Sequence, residues 1–135
     1  KEEAKRVVSV IGDSTFVHSG ITGLVDMVYN PPPTGHVVII VDNGTTAMTG
    51  LQEHPGTGRS LNRKATNKLV IEDLAKSIGL TKVHVIDPVA EKENFDKLLQ
   101  DSLDSEQLVL IIARRLCSLG APKLEAFEKA SGRQS

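Results

Sequence analysis

Two segments, HVVIIVD at residues 36–42 and QLVLIIA at 107–113, are almost unbroken runs of β-branched and aliphatic residues. A strand with one face in water alternates apolar and polar side chains, whereas a strand buried on both faces has no need to. A chain carrying such strands must therefore place helices on both faces of a parallel sheet. Two further runs, Arg6–Ile11 and Lys82–Asp87 (KVHVID), complete a set of four expected strands. Helical periodicity lies between them. Ser19–Tyr29 puts Ile21, Leu24, Val25 and Val28 on one face, and Lys68–Ile78 does the same with Leu69, Ile71, Leu74, Ala75 and Ile78 before a Gly79 stop. Glu93–Leu103 turns Phe95, Leu98, Leu99 and Leu103 inward. The expected fold class is α/β, a parallel sheet with helices on both faces and right-handed crossovers. One domain spans residues 1–121, and residues 122–135 form a tail with a short surface helix that frays.

Composition narrows the function. Sixteen Lys and Arg against seventeen Asp and Glu leave a net charge of −1, without the basic excess of a nucleic-acid binder. Aromatic residues are 3% with no Trp, too few for base-stacking platforms. The single Cys117 excludes a disulfide framework or an Fe–S cluster held by this stretch alone. No apolar run approaches the roughly 20 residues of a membrane span, and no signal peptide opens the chain, so the expected compartment is the cytosol. The opening KEEAKRVVSV has no Met and enters a strand within a few residues, as expected of a piece cut from a longer chain.

The first two strands both end in small and acidic residues, GDST at 12–15 and DNGTT at 42–46. Open α/β sheets bind ligands at such strand ends. Asp13 and Asn43 offer hard oxygen ligands, and a main-chain carbonyl follows Asn43. Such a set leaves octahedral positions for phosphate oxygens, which suits Mg²⁺. Gly12 lets the backbone approach closely, and Ser14, Thr15 and the following helix N-terminus supply donors to anionic oxygens. The ligand that needs both strand ends is a diphosphate chelated to Mg²⁺. Three rival readings are weaker. GDST resembles the opening of GDS-type esterases, with Ser14 as nucleophile, yet the last His, His84, lies within a strand and no later base exists. HPGTG at 54–58 lacks the Gly-Lys-Ser/Thr ending of a phosphate loop and does not directly follow a strand. A receiver-type interaction module needs an acidic cluster and a strand-end Lys that are not in place. The stretch 43–67 is longer than ordinary βα connections, and its glycines point to a mobile lid.

Taken together, IGDSTFVHSGITGL and, about thirty residues after the Gly-Asp, DNGTTAMTGLQEHPGTG resemble the thiamine-diphosphate-binding motif. The Ser14 variant and the TTAMTG ending are most similar to the large (alpha) subunit of indolepyruvate ferredoxin oxidoreductases, over about residues 6–117. The resemblance implies Asp13 and Asn43 as Mg²⁺ side-chain ligands, with the Thr45 carbonyl completing the protein set. It implies Gly12, Ser14, Thr15 and Gly44 along the diphosphate, and Thr46–Thr49 near the thiazolium, with Met48 beneath or beside the ring. His18 would stand behind the motif, near phosphate or substrate or in a structural role. His54 would ride on the lid, and Cys117 would be a small buried or interface residue. The family's reaction is the oxidative decarboxylation of aryl 2-oxoacids to acyl-coenzyme A with reduction of ferredoxin. Its subunit also carries further strands, a Cys-Pro-Gly-Cys-like segment, a pyrimidine-binding domain with an activating Glu and a ferredoxin-like domain with Fe–S clusters. It works with a smaller beta subunit. None of these extra parts is in this stretch, which is expected to be the C-terminal part of one cofactor domain. A non-oxidative decarboxylase or synthase using the same cofactor remains open.

Overall fold

The computed structural model describes residues 6–131. Strands β1 (Val7–Gly12), β2 (His36–Asp42), β3 (Val83–Ile86) and β4 (Leu108–Arg114) form one sheet in the order β1-β2-β4-β3. Every pairing is parallel. After β1, a helical run α1 opens at Asp13–Thr15, passes through a π-helical segment at Phe16–Gly20 and continues as Ile21–Tyr29. Helix α2 (Ile71–Ser77) joins β2 to β3, α3 (Lys92–Asp104) joins β3 to β4, and α4 (Ala121–Ser131) follows β4. Because β3 lies outside β4, the chain runs outward over one face of the sheet and returns over the other.

The unbroken apolar runs occupy the two central strands, as their pattern requires. Val38, Ile40, Leu110 and Ile112 face Phe16 and Leu24 of α1 and Ile71 and Ala75 of α2. Val37, Ile39, Val109, Ile111 and Ala113 face Phe95, Leu98, Leu99 and Leu103 of α3. Ile40, Leu110, Ile111 and Ile112 are fully buried, each contributing about 2–3 kcal/mol of transfer free energy.

Three expectations need correcting. Burial on both faces holds for β2 and β4 but not for the edge strands. Val8 and Val10 of β1 share the α3 side of the sheet, yet the apolar cluster on that side draws on β2, β4, Ile86 of β3 and α3 and includes neither of them, and Val10 stays 65% exposed. Helix α1 starts at Asp13, six residues before its expected beginning. Phe16, at 1% exposure, anchors this early turn in the core. The tail helix is present as Ala121–Ser131, but it is more than a surface segment: Leu124 is buried, and its side chain packs near Gly44 and Gly120. Its expected fraying end reaches residues 132–135, outside the described residues. Among the described residues, no helix is long and apolar enough to cross a membrane.

Candidate functional site

The C-terminal ends of β1 and β2 are neighbours, since Gly12 pairs in register with Val41. Asp13 therefore opens α1 beside the segment that leaves β2. The two motif halves are tied together by hydrogen bonds. The Gly44 N–H donates to Asp13 Oδ2 at 3.1 Å, and Thr46 Oγ1 donates to Ser14 Oγ at 2.9 Å. Asp13 Oδ1 accepts from the Ser14 N–H at 2.8 Å. Asn43 forms a tight side-chain turn, its Oδ1 accepting from the Thr45 N–H at 3.1 Å. Its carbonyl accepts from the Cys117 N–H, which pins this corner to the segment after β4. Gly44 has φ +73°, a left-handed conformation that favours glycine.

Asp13 is 3% exposed. Burial pushes its carboxyl up, but the His54 imidazole and the Ser14 N–H more than offset this, and the group is held below its ordinary range. A buried carboxylate held in its charged form at a helix N-terminus can ligate a cation, and the N–H groups of a helix's first turn can hold an anion. Above Gly12 the space is open: nothing stands within 4 Å of where a Cβ would be. Among the described residues, no three His, Cys, Asp or Glu side chains gather as a metal-ion group. A cation here would depend on one carboxylate, an amide, a carbonyl and ligand oxygens. That hard, sparse set suits Mg²⁺ held partly by a diphosphate.

The corner gathers Gly12, Asp13, Ser14, Thr15, Asn43, Gly44, Thr45 and Thr46. Thr45 is buried at 1% exposure, its hydroxyl donating to the Gln52 carbonyl. Met48 and Thr49 stand apart on a solvent-facing turn closed by the Thr46–Gln52 bridge, and Met48 is fully exposed. His18 is exposed on α1, away from the core.

Part of the long connection is folded into the site. Residues 53–59 fold inward, burying His54, Thr57 and Arg59. Pro55–Thr57 forms a 3-10 turn, with Gly58 at φ +70° behind it. His54, expected on a lid, lies against the site, with Nε2 3.3 Å from Asp13 Oδ2. Arg59, which no sequence pattern singled out, pairs with Glu53 at 2.8 Å and donates to the Gly44 carbonyl at 2.8 Å. Its guanidinium also lies 5.5 Å from the Phe127 ring of α4. The HPGTG glycines serve a tight turn here, with Gly58 in the left-handed conformation. A cleft of about 740 Å³, lined by Asp42, Gly44, Thr57, Arg59, Lys68 and Arg115, opens beside this corner at the ends of β2, β3 and β4.

Parallel strands whose carboxyl ends carry a Gly-Asp and an Asn, tied across the gap and facing a helix N-terminus, define an α/β domain of the ligand-binding type. The chain belongs to the family described as thiamine pyrophosphate enzyme, C-terminal TPP binding domain, which matches residues 1–113. It is similar to the indolepyruvate oxidoreductase subunit IorA of Archaeoglobus fulgidus, 38% identical over 114 residues, covering 84% of this chain and 18% of that protein. The same-named subunits of Pyrococcus horikoshii and Methanothermobacter thermautotrophicus are 36% and 33% identical, each covering 87% of this chain and 18% of the relative. The chain thus spans less than a fifth of the length of these curated relatives. No solved structure matches it.

Proposed function

We propose that this chain is the cofactor-anchoring part of a 2-oxoacid:ferredoxin oxidoreductase acting on indolepyruvate or related arylpyruvates. The observation that carries this reading is the Asp13 carboxylate, buried at the end of β1 and bridged to the Asn43 segment through the Gly44 N–H. The donor set and the open space above Gly12 fit a Mg²⁺ ion and the diphosphate of thiamine diphosphate. Asp13, Asn43 and the Thr45 carbonyl would hold the metal, while Gly12, Ser14, Thr15 and Gly44 would line the diphosphate. Thr46, Met48 and Thr49 would lie toward the thiazolium, and full exposure leaves the Met48 side chain free to cover a ring or another domain. When bound, thiamine diphosphate supplies the electron sink for decarboxylation of a 2-oxoacid. The residues of this chain bind and orient it.

In this reading residues 1–121 are the C-terminal part of the cofactor domain, and residues 122–135 lead onward. Other parts of the same subunit supply the aminopyrimidine-activating Glu and the Fe–S clusters. A smaller beta subunit, ferredoxin and coenzyme A complete the system, in the cytoplasm. The bare Val8 and Val10 face of β1 supports further structure packing there. The test is a decarboxylation assay on the 135-residue chain, and on the longer subunit it belongs to, with an arylpyruvate, thiamine diphosphate and Mg²⁺. The chain alone should give no product above the cofactor-only background. The longer subunit with its partner should reduce ferredoxin, and product without ferredoxin reduction would move the enzyme to the non-oxidative class.

A further inference from the structure

The residue whose placement the cofactor-anchoring reading does not account for is His54. Its side chain is 1% exposed, and it faces an Asp13 side chain that is 4% exposed. Two features fix the ring. Nδ1 accepts a hydrogen bond from the Gly56 N–H at 3.2 Å, and the His54 carbonyl accepts from both the N–H and the hydroxyl of Thr57. A Cβ on Gly56 would come within 3.0 Å of His54 Cε1, so the ring and the glycine backbone are in close contact.

Because Nδ1 is an acceptor, the ring proton of neutral His54 sits on Nε2. That N–H lies 3.3 Å from Asp13 Oδ2, is buried, and has no well-aligned hydrogen-bond partner. Such a donor normally costs free energy to bury, so its place against the Asp13 carboxylate points to a role there. Asp13 already accepts at both oxygens, from the Ser14 N–H and the Gly44 N–H. These two donors come from the two strand ends. The imidazole adds a third constraint from a third segment.

We propose that His54 is a positioning residue for the metal site: its Nε2–H steadies the Asp13 carboxylate so that the oxygens can ligate Mg²⁺ together with a diphosphate. This rests on the cofactor-anchoring reading. The arrangement inverts the familiar one in which a carboxylate orients a metal-bound imidazole, and outer partners of that kind typically change metal affinity by about 10–100-fold. The same placement accounts for Pro55 and Gly56 in the turn. Pro55 sets the 3-10 turn that carries the ring inward, and Gly56 leaves space for it.

The experiment is a calorimetric titration of the chain with Mg²⁺ and thiamine diphosphate, comparing wild type, His54→Gln and His54→Met, with a thermal melt of each. His54→Met removes the N–H at similar volume and should weaken Mg²⁺-dependent binding about tenfold or more. His54→Gln keeps an N–H donor and should recover most of the affinity, which a purely structural role would not require. If the Met variant fails to fold, the Gln variant carries the test by itself, since it keeps the N–H and should bind within a few-fold of wild type. A folded Met variant with wild-type affinity overturns the proposal, as does a folded Gln variant that loses tenfold or more. A wild-type chain that binds neither Mg²⁺ nor the diphosphate overturns the underlying reading instead.

Discussion

Arg59 provides a quantitative test of how the site-bearing loop is held. Its side chain is 4% exposed, and its partner Glu53 is 10% exposed. Replacing Arg59 by Met preserves bulk but leaves the Glu53 carboxylate buried without its cation, a loss typically of about 3–5 kcal/mol. It also strips the Gly44 carbonyl of a 2.8 Å donor. With a urea m-value of about 2 kcal/mol/M, the unfolding midpoint should fall by roughly 2 M. The double variant Arg59→Met/Glu53→Leu removes both charges and should recover most of that loss. About 1–2 kcal/mol should persist, because the Gly44 carbonyl still lacks its partner. Urea unfolding of the wild type, both single variants and the double variant closes the cycle. A cost below about 1 kcal/mol for Arg59→Met would mark the pair as an ordinary surface ion pair and refute the buried clamp. A double variant no more stable than Arg59→Met would refute the electrostatic origin of the loss.

Glu72 receives two hydrogen bonds from Arg114, at 2.9 and 2.8 Å, and this guanidinium holds its carboxyl below the ordinary value of 4.5. Its contribution is therefore fully present above pH 4.5 and fades as pH falls through the lower folded value, so Glu72→Gln should flatten the acid limb of stability against pH. Gly35 has φ +73°, and a Cβ there would lie 2.5 Å from the Gln107 nitrogen and the Glu106 carbonyl carbon. Gly35→Ala should cost about 2 kcal/mol or more in a thermal melt and leave metal-dependent binding of the folded chain unchanged.

The central strands were legible because a run such as HVVIIVD suits little besides a strand covered on both faces, and β2 spans His36–Asp42 as its pattern indicates. The start of α1 was not. GDSTFVHSG reads as a loop by propensity, whereas in the structure Phe16 is buried in the turn that carries the helix back to Asp13. The strand-end residues Asp13 and Asn43 could be picked out as a pair because both follow runs of β-branched residues, and the structure ties those two strand ends together through the Gly44 N–H. His54 and Arg59 could not. Their roles depend on a turn folding back across the sheet edge, and turn residues alone do not say which side chain ends up inside. The glycines of HPGTG were ambiguous between mobility and tight turning, and the left-handed Gly58 fits the second. The exposure of Val10 depends on what lies beyond the strand, which the strand's own pattern does not encode.

The most direct test of the cofactor-anchoring account is a calorimetric titration of the chain with thiamine diphosphate, with and without Mg²⁺, for wild type and Asp13→Ala. The account predicts binding that requires Mg²⁺ and is largely lost in a folded Asp13→Ala variant, because Asp13 is the carboxylate it assigns to the metal. Binding that ignores Mg²⁺, or that survives Asp13→Ala intact, would contradict it.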